Sequence, residues 1–140
     1  MRKILIDTNI VLDFALQRQK FGENAKSLIL YIAKNGIKSF VTASSITDIY
    51  YILRKAKGHT DAISFLKNFV KLTKVTGVDA KIIIEALNSA MKDFEDAVQT
   101  ETAIYNNIDI IITRDKKDYK NSGLQVFSPT EYINELNKIE

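Results

Sequence analysis

Asp109-Ile110-Ile111-Ile112-Thr113 (DIIIT) is the stretch that decides the fold. Three consecutive isoleucines leave no polar side for solvent, so the sequence predicts a strand over 109–113 buried on both faces. Such a strand needs helices above and below it. Upstream, Asp93 is placed to cap a helix bearing Ala97, Val98, Ala103 and Ile104 at helical spacing, ended by Asn106-Asn107. Downstream, the polar stretch KKDYKNSG reads as a loop or short helical turn, and Leu124, Val126 and Phe127 form a last short strand. Ser128-Pro129-Thr130-Glu131 then gives a terminal helix an N-cap serine, a proline at its first position and a glutamate at its third.

The same grammar repeats toward the amino terminus. Residues 3–6 (KILI) form a short apolar strand ending in Asp7-Thr8-Asn9. A helix on Ile10, Val11, Phe14 and Ala15 follows, broken at Gly22-Glu23-Asn24 before a second amphipathic run with Leu28, Ile29, Ile32 and Ala33 that Gly36 caps. Residues 39–43 (SFVTA) read as a second strand, and Ser44-Ser45 opens a helix whose inner face carries Ile46, Ile49, Leu53 and Ala56 up to Gly58. Thr60 is placed to cap a helix with Ile63, Leu66, Phe69 and Val70. Lys74 to Val78 suits a half-exposed strand at a sheet edge, after which Asp79 caps a helix with Ile82, Ile83, Ala86, Leu87 and Ala90. Strands separated by crossover helices predict an α/β three-layer sandwich with a mostly parallel central sheet, in one domain spanning 1–140.

Composition narrows the chemistry. At 140 residues, with 46% apolar and 26% charged residues, the chain can bury the core that such a sandwich needs. It has no cysteine and one histidine, His59, which removes thiolate and histidine-rich metal sites and leaves oxygen as the donor for any ion. His59 beside Gly58 reads as a helix-end residue. The first strand is too short for a signal peptide or membrane span, so the expected location is the cytoplasm, with no membrane partner. A net charge of +3 is compatible with an anionic partner without demonstrating one. The scattered glycines form neither a dinucleotide fingerprint nor a phosphate loop.

In a parallel sheet, ligands gather beyond the carboxyl ends of the strands. Asp7 and Asp115 follow strands directly. Asp48 lies in the first turn of a helix leaving that edge, and Asp93 and Asp96 begin the helix that feeds strand 109–113. The topology thus brings these acids to one edge. Mg²⁺ or Mn²⁺ resolves their repulsion, since hard cations prefer carboxylate and water oxygens, and the combination suits phosphodiester hydrolysis. Against this, Asp7 and Asp115 are also ordinary turn residues, and Ser45–Asp48 and Asp93–Asp96 have capping-box spacing. Asp13 and Asp61 read as helix-surface charges, and Asp118 as a peripheral loop acid.

With these residues in place, the chain resembles the PIN domain, the nuclease fold shared by VapC-type toxins of toxin-antitoxin pairs. The likeness rests on LIDTNIVLD (5–13), SSITDIYYIL (44–53), DFEDAVQTETA (93–103) and DIIITRDKKDY (109–119). It implies a Mg²⁺- or Mn²⁺-dependent ribonuclease with Asp7, Asp48, Asp96 and Asp115 as catalytic acids and Asp7, Asp93, Asp96 and Asp115 around the metal. Asp48 stands where the toxins usually carry Glu, one methylene shorter in reach. Thr8, Asn9, Thr113 and Arg114 are implied to support the site or position substrate, with Lys116, Lys117 and Lys120 guiding phosphates. RNA as substrate, a small antitoxin protein and a second copy in a homodimer are the implied partners, and Tyr50 and Tyr51 lie on the helix expected to contribute to those contacts. The rival from another class is a non-catalytic PIN-like module that binds RNA or protein. A phosphatase built on Asp7 is disfavoured because Asn9 replaces the second acid, and a receiver domain because no acceptor follows a central strand.

Overall fold

The computed structural model describes residues 2–139. Its strands are β1 (Ile4–Ile6), β2 (Ser39–Thr42), β3 (Lys74–Thr76), β4 (Ile110–Ile112) and β5 (Gln125–Phe127). They form a single sheet in the order β3-β2-β1-β4-β5, and every pairing in it is parallel. β2, β1 and β4 are therefore the inner strands, and β3 lies at an edge as its half-polar sequence requires. The helices are α1 (Thr8–Leu16), α2 (Gly22–Asn35), α3 (Ala43–Lys57), α4 (His59–Leu72), α5 (Ala80–Leu87), α6 (Phe94–Tyr105) and α7 (Pro129–Ile139). A 3₁₀ turn at Lys116–Tyr119 connects β4 toward β5.

The isoleucine-rich strands separate two faces by their period of two residues. Ile4, Ile6, Ile110 and Ile112 join Val11, Leu28, Ile49 and Tyr132 from α1, α2, α3 and α7. Leu5 and Ile111 point the other way, onto Ala103 of α6 and onto Tyr119. α5 is outermost on this second side, with Ile82 and Ala86 against Ala97 and Val98. The three layers are those expected. Not every apolar position serves them: Val70, Leu87 and Ile104 turn outward, with Leu87 65% exposed.

Helix starts follow local chemistry with some corrections. Asp79 accepts from the Ile82 N–H at 3.0 Å and Asp93 from the Asp96 N–H at 3.0 Å, as capping predicts. Ser128 and Glu131 bond each other's backbone N–H groups, completing the capping box. Gly36 closes α2 in the left-handed conformation that an L side chain resists. For α3, however, Thr42 is the cap, accepting from the Ser45 N–H at 3.1 Å, and Ser45 is buried. That removes the expected Ser45–Asp48 capping box. α4 likewise begins at His59 after Gly58, and no side chain caps it, so Thr60 is an interior residue. Asp13 is fully buried and not a surface charge, because Arg18 and Arg114 reach its carboxylate at 3.2 and 3.0 Å. No described helix is long and apolar enough to cross a membrane.

Candidate active site at the carboxyl edge of the sheet

Asp7 continues β1 for one residue and occupies the N-cap position of α1. Its N–H donates to the Ile112 carbonyl at 3.0 Å, and its own carbonyl accepts from the Ile10 N–H at 3.0 Å, so its backbone is fixed between β4 and α1. The side chain makes no capping bond to the helix. It faces the carboxyl edge, where Oδ1 accepts from Gln99 Nε2 at 2.6 Å and Oδ2 from Thr113 Oγ1 at 2.8 Å. Asp7 is 5% exposed. Burial pushes its carboxyl above the usual range, the bonds from Thr113 and Gln99 hold it down in part, and the Asp115 charge adds to the rise.

Gln99, from the second turn of α6, ties the site together. Nε2 also lies 3.1 Å from the Tyr119 hydroxyl, and Oε1 accepts from Ser45 Oγ at 3.3 Å. Ser45 Oγ in turn meets Thr8 Oγ1 at 2.6 Å and Thr42 Oγ1 at 2.9 Å. Tyr119 donates to Asp96 Oδ1 at 3.0 Å. The result is a continuous path, buried from Asp7 through Gln99 to Tyr119 and half-buried at Asp96, joining acids that are far apart in sequence. Burial pushes the Asp96 carboxyl up to about 6, against the lowering effect of Tyr119, with Asp93, Asp7 and Asp118 adding repulsion. Burial and the Asp7 and Asp96 charges raise the Tyr119 phenol, so it stays a neutral donor.

Glu95 is a further member of the cluster. Glu95 is exposed as a whole, yet partial desolvation of its carboxyl first, then the neighbouring Asp48 charge, push it up to about 7, with smaller contributions from Asp7 and Asp93. Asp48 thus does reach this edge, half-buried, and its companion there is Glu95. Asp93 is exposed and has one oxygen committed to its own helix. Asp115 is also exposed. Its N–H donates to Thr113 Oγ1 at 3.1 Å, and its charge is felt at Asp7. Thr8 is engaged with Ser45, while Asn9 is half-buried beside it.

The basic residues divide. Arg114 Nε stands 3.0 Å from Asp13 Oδ2, in an ion pair without a well-directed hydrogen bond, and the guanidinium lies 4.3 Å from the Phe21 ring centre. Lys116 is paired with Glu131 at 2.9 Å. Lys117 and Lys120 have no ion pair among the described residues. His59, just past the end of α3, meets the Tyr50 hydroxyl with Nδ1 at 2.7 Å, on the order of 15 Å along the helix direction beyond Asp48.

Sequence reasoning did not single out Gln99, Tyr119, Ser45 as a site member, or Glu95. For Glu95 a signal existed, since it sits between two candidate acids in Asp93-Phe94-Glu95-Asp96. Among the described residues, no three carboxylate or imidazole groups converge closely enough to cage an ion. The donor chemistry nevertheless fits a hard cation: the set is all oxygen, and Asp7, Asp96 and Glu95 each hold their protons more tightly, first because of burial and then because of neighbouring acids. Mg²⁺ commonly takes one or two carboxylates and fills its shell with water, so a cage of three is not required.

A family model described as PIN domain matches residues 3–117 of the chain. Among solved structures, DNA-bound VapBC from Salmonella typhimurium superposes with a TM-score of 0.69 at 11% identity, covering 92% of this chain and 99% of that one. VapBC2 from Rickettsia felis, bound to a promoter DNA fragment, gives 0.68 at 16% identity over 90% and 98% of the two chains. VapC20 from Mycobacterium tuberculosis, described as a Sarcin-Ricin loop cleaving toxin, gives 0.64 at 16% identity over 77% and 86%. At these identities the likeness establishes a common fold. Comparison with curated proteins gives no match.

Proposed function

The chain belongs to the PIN domain family, and from that membership and its acid edge we infer that it is a Mg²⁺- or Mn²⁺-dependent endoribonuclease, the toxin of a toxin-antitoxin pair. The observation that carries this reading is the hydrogen-bonded path from buried Asp7 through Gln99 and Tyr119 to half-buried Asp96, which holds two acids from different elements at one edge. Asp7 and Asp96 would hold the cation, with Asp93 and Asp115 completing its surroundings through water. When bound, the ion supplies a Lewis acid for the charge that develops on the phosphoryl oxygens. Gln99 and Thr113 keep Asp7 in one orientation by donating to its two oxygens. Tyr119 does the same for Asp96. Asp48 and Glu95 lie beside them, where a carboxylate can take a proton from the attacking water.

The chain acts in this reading as one PIN-like unit over 1–140, on RNA in the cytoplasm. Tyr51 and Ile52 on α3 and Val70 on α4 are exposed apolar side chains of the kind that a second copy or an antitoxin would cover. Cleavage of a labelled single-stranded RNA in Mn²⁺ tests the reading. Asp7→Asn should lower the rate by at least about a hundredfold with an unchanged circular dichroism spectrum, because the charge that holds the ion is removed at its most buried point. Equal rates for the variant and the parent protein would remove Asp7 from the chemistry. The second reading, a non-catalytic RNA- or protein-binding module, draws on the lack of a three-carboxylate cage among the described residues. It predicts RNA binding without any metal-dependent cutting.

A further inference from the structure

Next to the acids, a cleft of about 450 Å³ opens between the α5–α6 connection and the 3₁₀ turn with the loop after it. Asp93 and Asp96 form part of its wall, so it runs directly into the acid edge. Thr100, one turn along α6 from Asp96, also lines it. This threonine is 3% exposed, and its hydroxyl has no hydrogen-bond partner among the described residues. A buried helical threonine ordinarily returns its hydroxyl to the carbonyl four residues back, as Thr102 does to Val98 at 2.7 Å. Thr100 does not. The other hydroxyls lining the cleft are committed: Ser89 accepts from the Met91 N–H at 3.1 Å, and Ser122 donates to the Tyr119 carbonyl at 2.7 Å.

Lys92, Lys117 and Lys120 line the same cleft. None of them forms an ion pair among the described residues, although Asp93, Asp96, Glu101 and Asp118 share the walls. Free ammonium groups beside an unpaired buried hydroxyl match a ligand that carries both negative charge and hydroxyl groups. The outward-turned Ile104, 51% exposed, gives the cleft an apolar side. Lysines grip phosphate as point charges without a fixed geometry, as suits a backbone contact that tolerates sequence.

We propose that this cleft is a subsite for the nucleotide of single-stranded RNA adjoining the cleaved bond, its phosphate held by Lys92, Lys117 and Lys120 and its sugar by the Thr100 hydroxyl. The proposal rests on the nuclease reading for the position of the cleaved bond, and on the cleft alone for RNA binding.

The test combines anisotropy of a labelled single-stranded RNA in Ca²⁺ buffer with cleavage kinetics in Mn²⁺. Lys92→Ala/Lys120→Ala should weaken binding and raise KM about tenfold with kcat nearly unchanged, and should make the slope of log affinity against log salt shallower by roughly 0.7 for each phosphate no longer neutralised. Thr100→Val should raise KM in the same way while its melting temperature equals or exceeds that of the parent protein, since a hydroxyl without a partner stabilises nothing. A merely structural threonine would not separate the two readouts. If the parent protein cuts RNA and both variants keep its KM, affinity and salt slope, the subsite is overturned and the nuclease reading stands. If it binds RNA, loses affinity in both variants but never cuts, the subsite stands and the nuclease reading falls. Neither binding nor cutting by the parent protein would overturn both.

Discussion

Asp48 and Glu95 lie close together beside Asp7, and the proton that Glu95 retains to about 7 reflects partial burial first and the Asp48 charge second. Asp48 has no part in starting α3, because Thr42 holds that cap. Asp48→Asn should therefore leave thermal stability close to parental while weakening Mn²⁺ affinity and RNA cleavage together, as read by calorimetric titration beside an RNA cutting assay. Unchanged affinity and cleavage would take Asp48 out of the site. At this scale the sequence was informative where a residue's place follows from the end of a strand. Asp7, Thr113 and Asp115 are such cases, and Thr113 does donate to Asp7. It was uninformative where a residue's role depends on what faces it across the sheet edge. Gln99 looks like an ordinary polar position in a helix, and Tyr119 like a loop residue, until Asp7 and Asp96 are brought to either side of them.

The connection from Thr113 through Tyr119 is the element on which the site depends most, for its side chains tie it to four others. Thr113 binds Asp7, Arg114 binds Asp13, Lys116 binds Glu131, and Tyr119 binds Asp96. The Asp13 carboxylate is the most buried of these partners, and its ion pairs explain why a residue read as a surface charge lies at 0% exposure. Its helical spacing alone places it on the flank of α1. The buried setting comes from Arg18 and Arg114, which reach it from outside that helix. Asp13→Ala should cost about 1.5–3 kcal/mol in urea unfolding, because two charge-assisted interactions disappear, an effect moderated by arginines that can return to water. A change below about 0.5 kcal/mol would mean that the pair does not anchor the connection.

For the molecule as a whole, raised carboxyls at the edge set a pH dependence of stability. Asp96 titrates at about 6 against an ordinary 3.8, Glu95 at about 7 against 4.5, and Asp7 is raised as well. Each binds its proton more tightly folded than unfolded. Their contribution is therefore complete below the ordinary values and declines as pH rises through about 6 and 7. Without metal, the melting temperature should fall between about pH 5 and 7.5, Glu95→Gln should flatten the upper part of that fall, and Mn²⁺ should restore the difference. Calorimetry across that window checks it, and a rising melting temperature would contradict it. The three layers and inner strands were legible from the isoleucine runs, because strands buried on both sides demand helices on both sides. Strand order was not, since β1 could have paired with any neighbour. Thr42, not Ser45, capping α3 was likewise invisible, because Ser45 is drawn away by Thr8 and Gln99. Asp7 sits at the head of α1 yet lends that helix no capping bond. A library of variants sorted for heat resistance alone should consequently enrich Asp7→Ser, whose hydroxyl can cap and whose charge is gone, while a library sorted for cleavage should discard it. The two enrichments should diverge at position 7 more than at any position of the hydrophobic core, where both sorts reward the same residues.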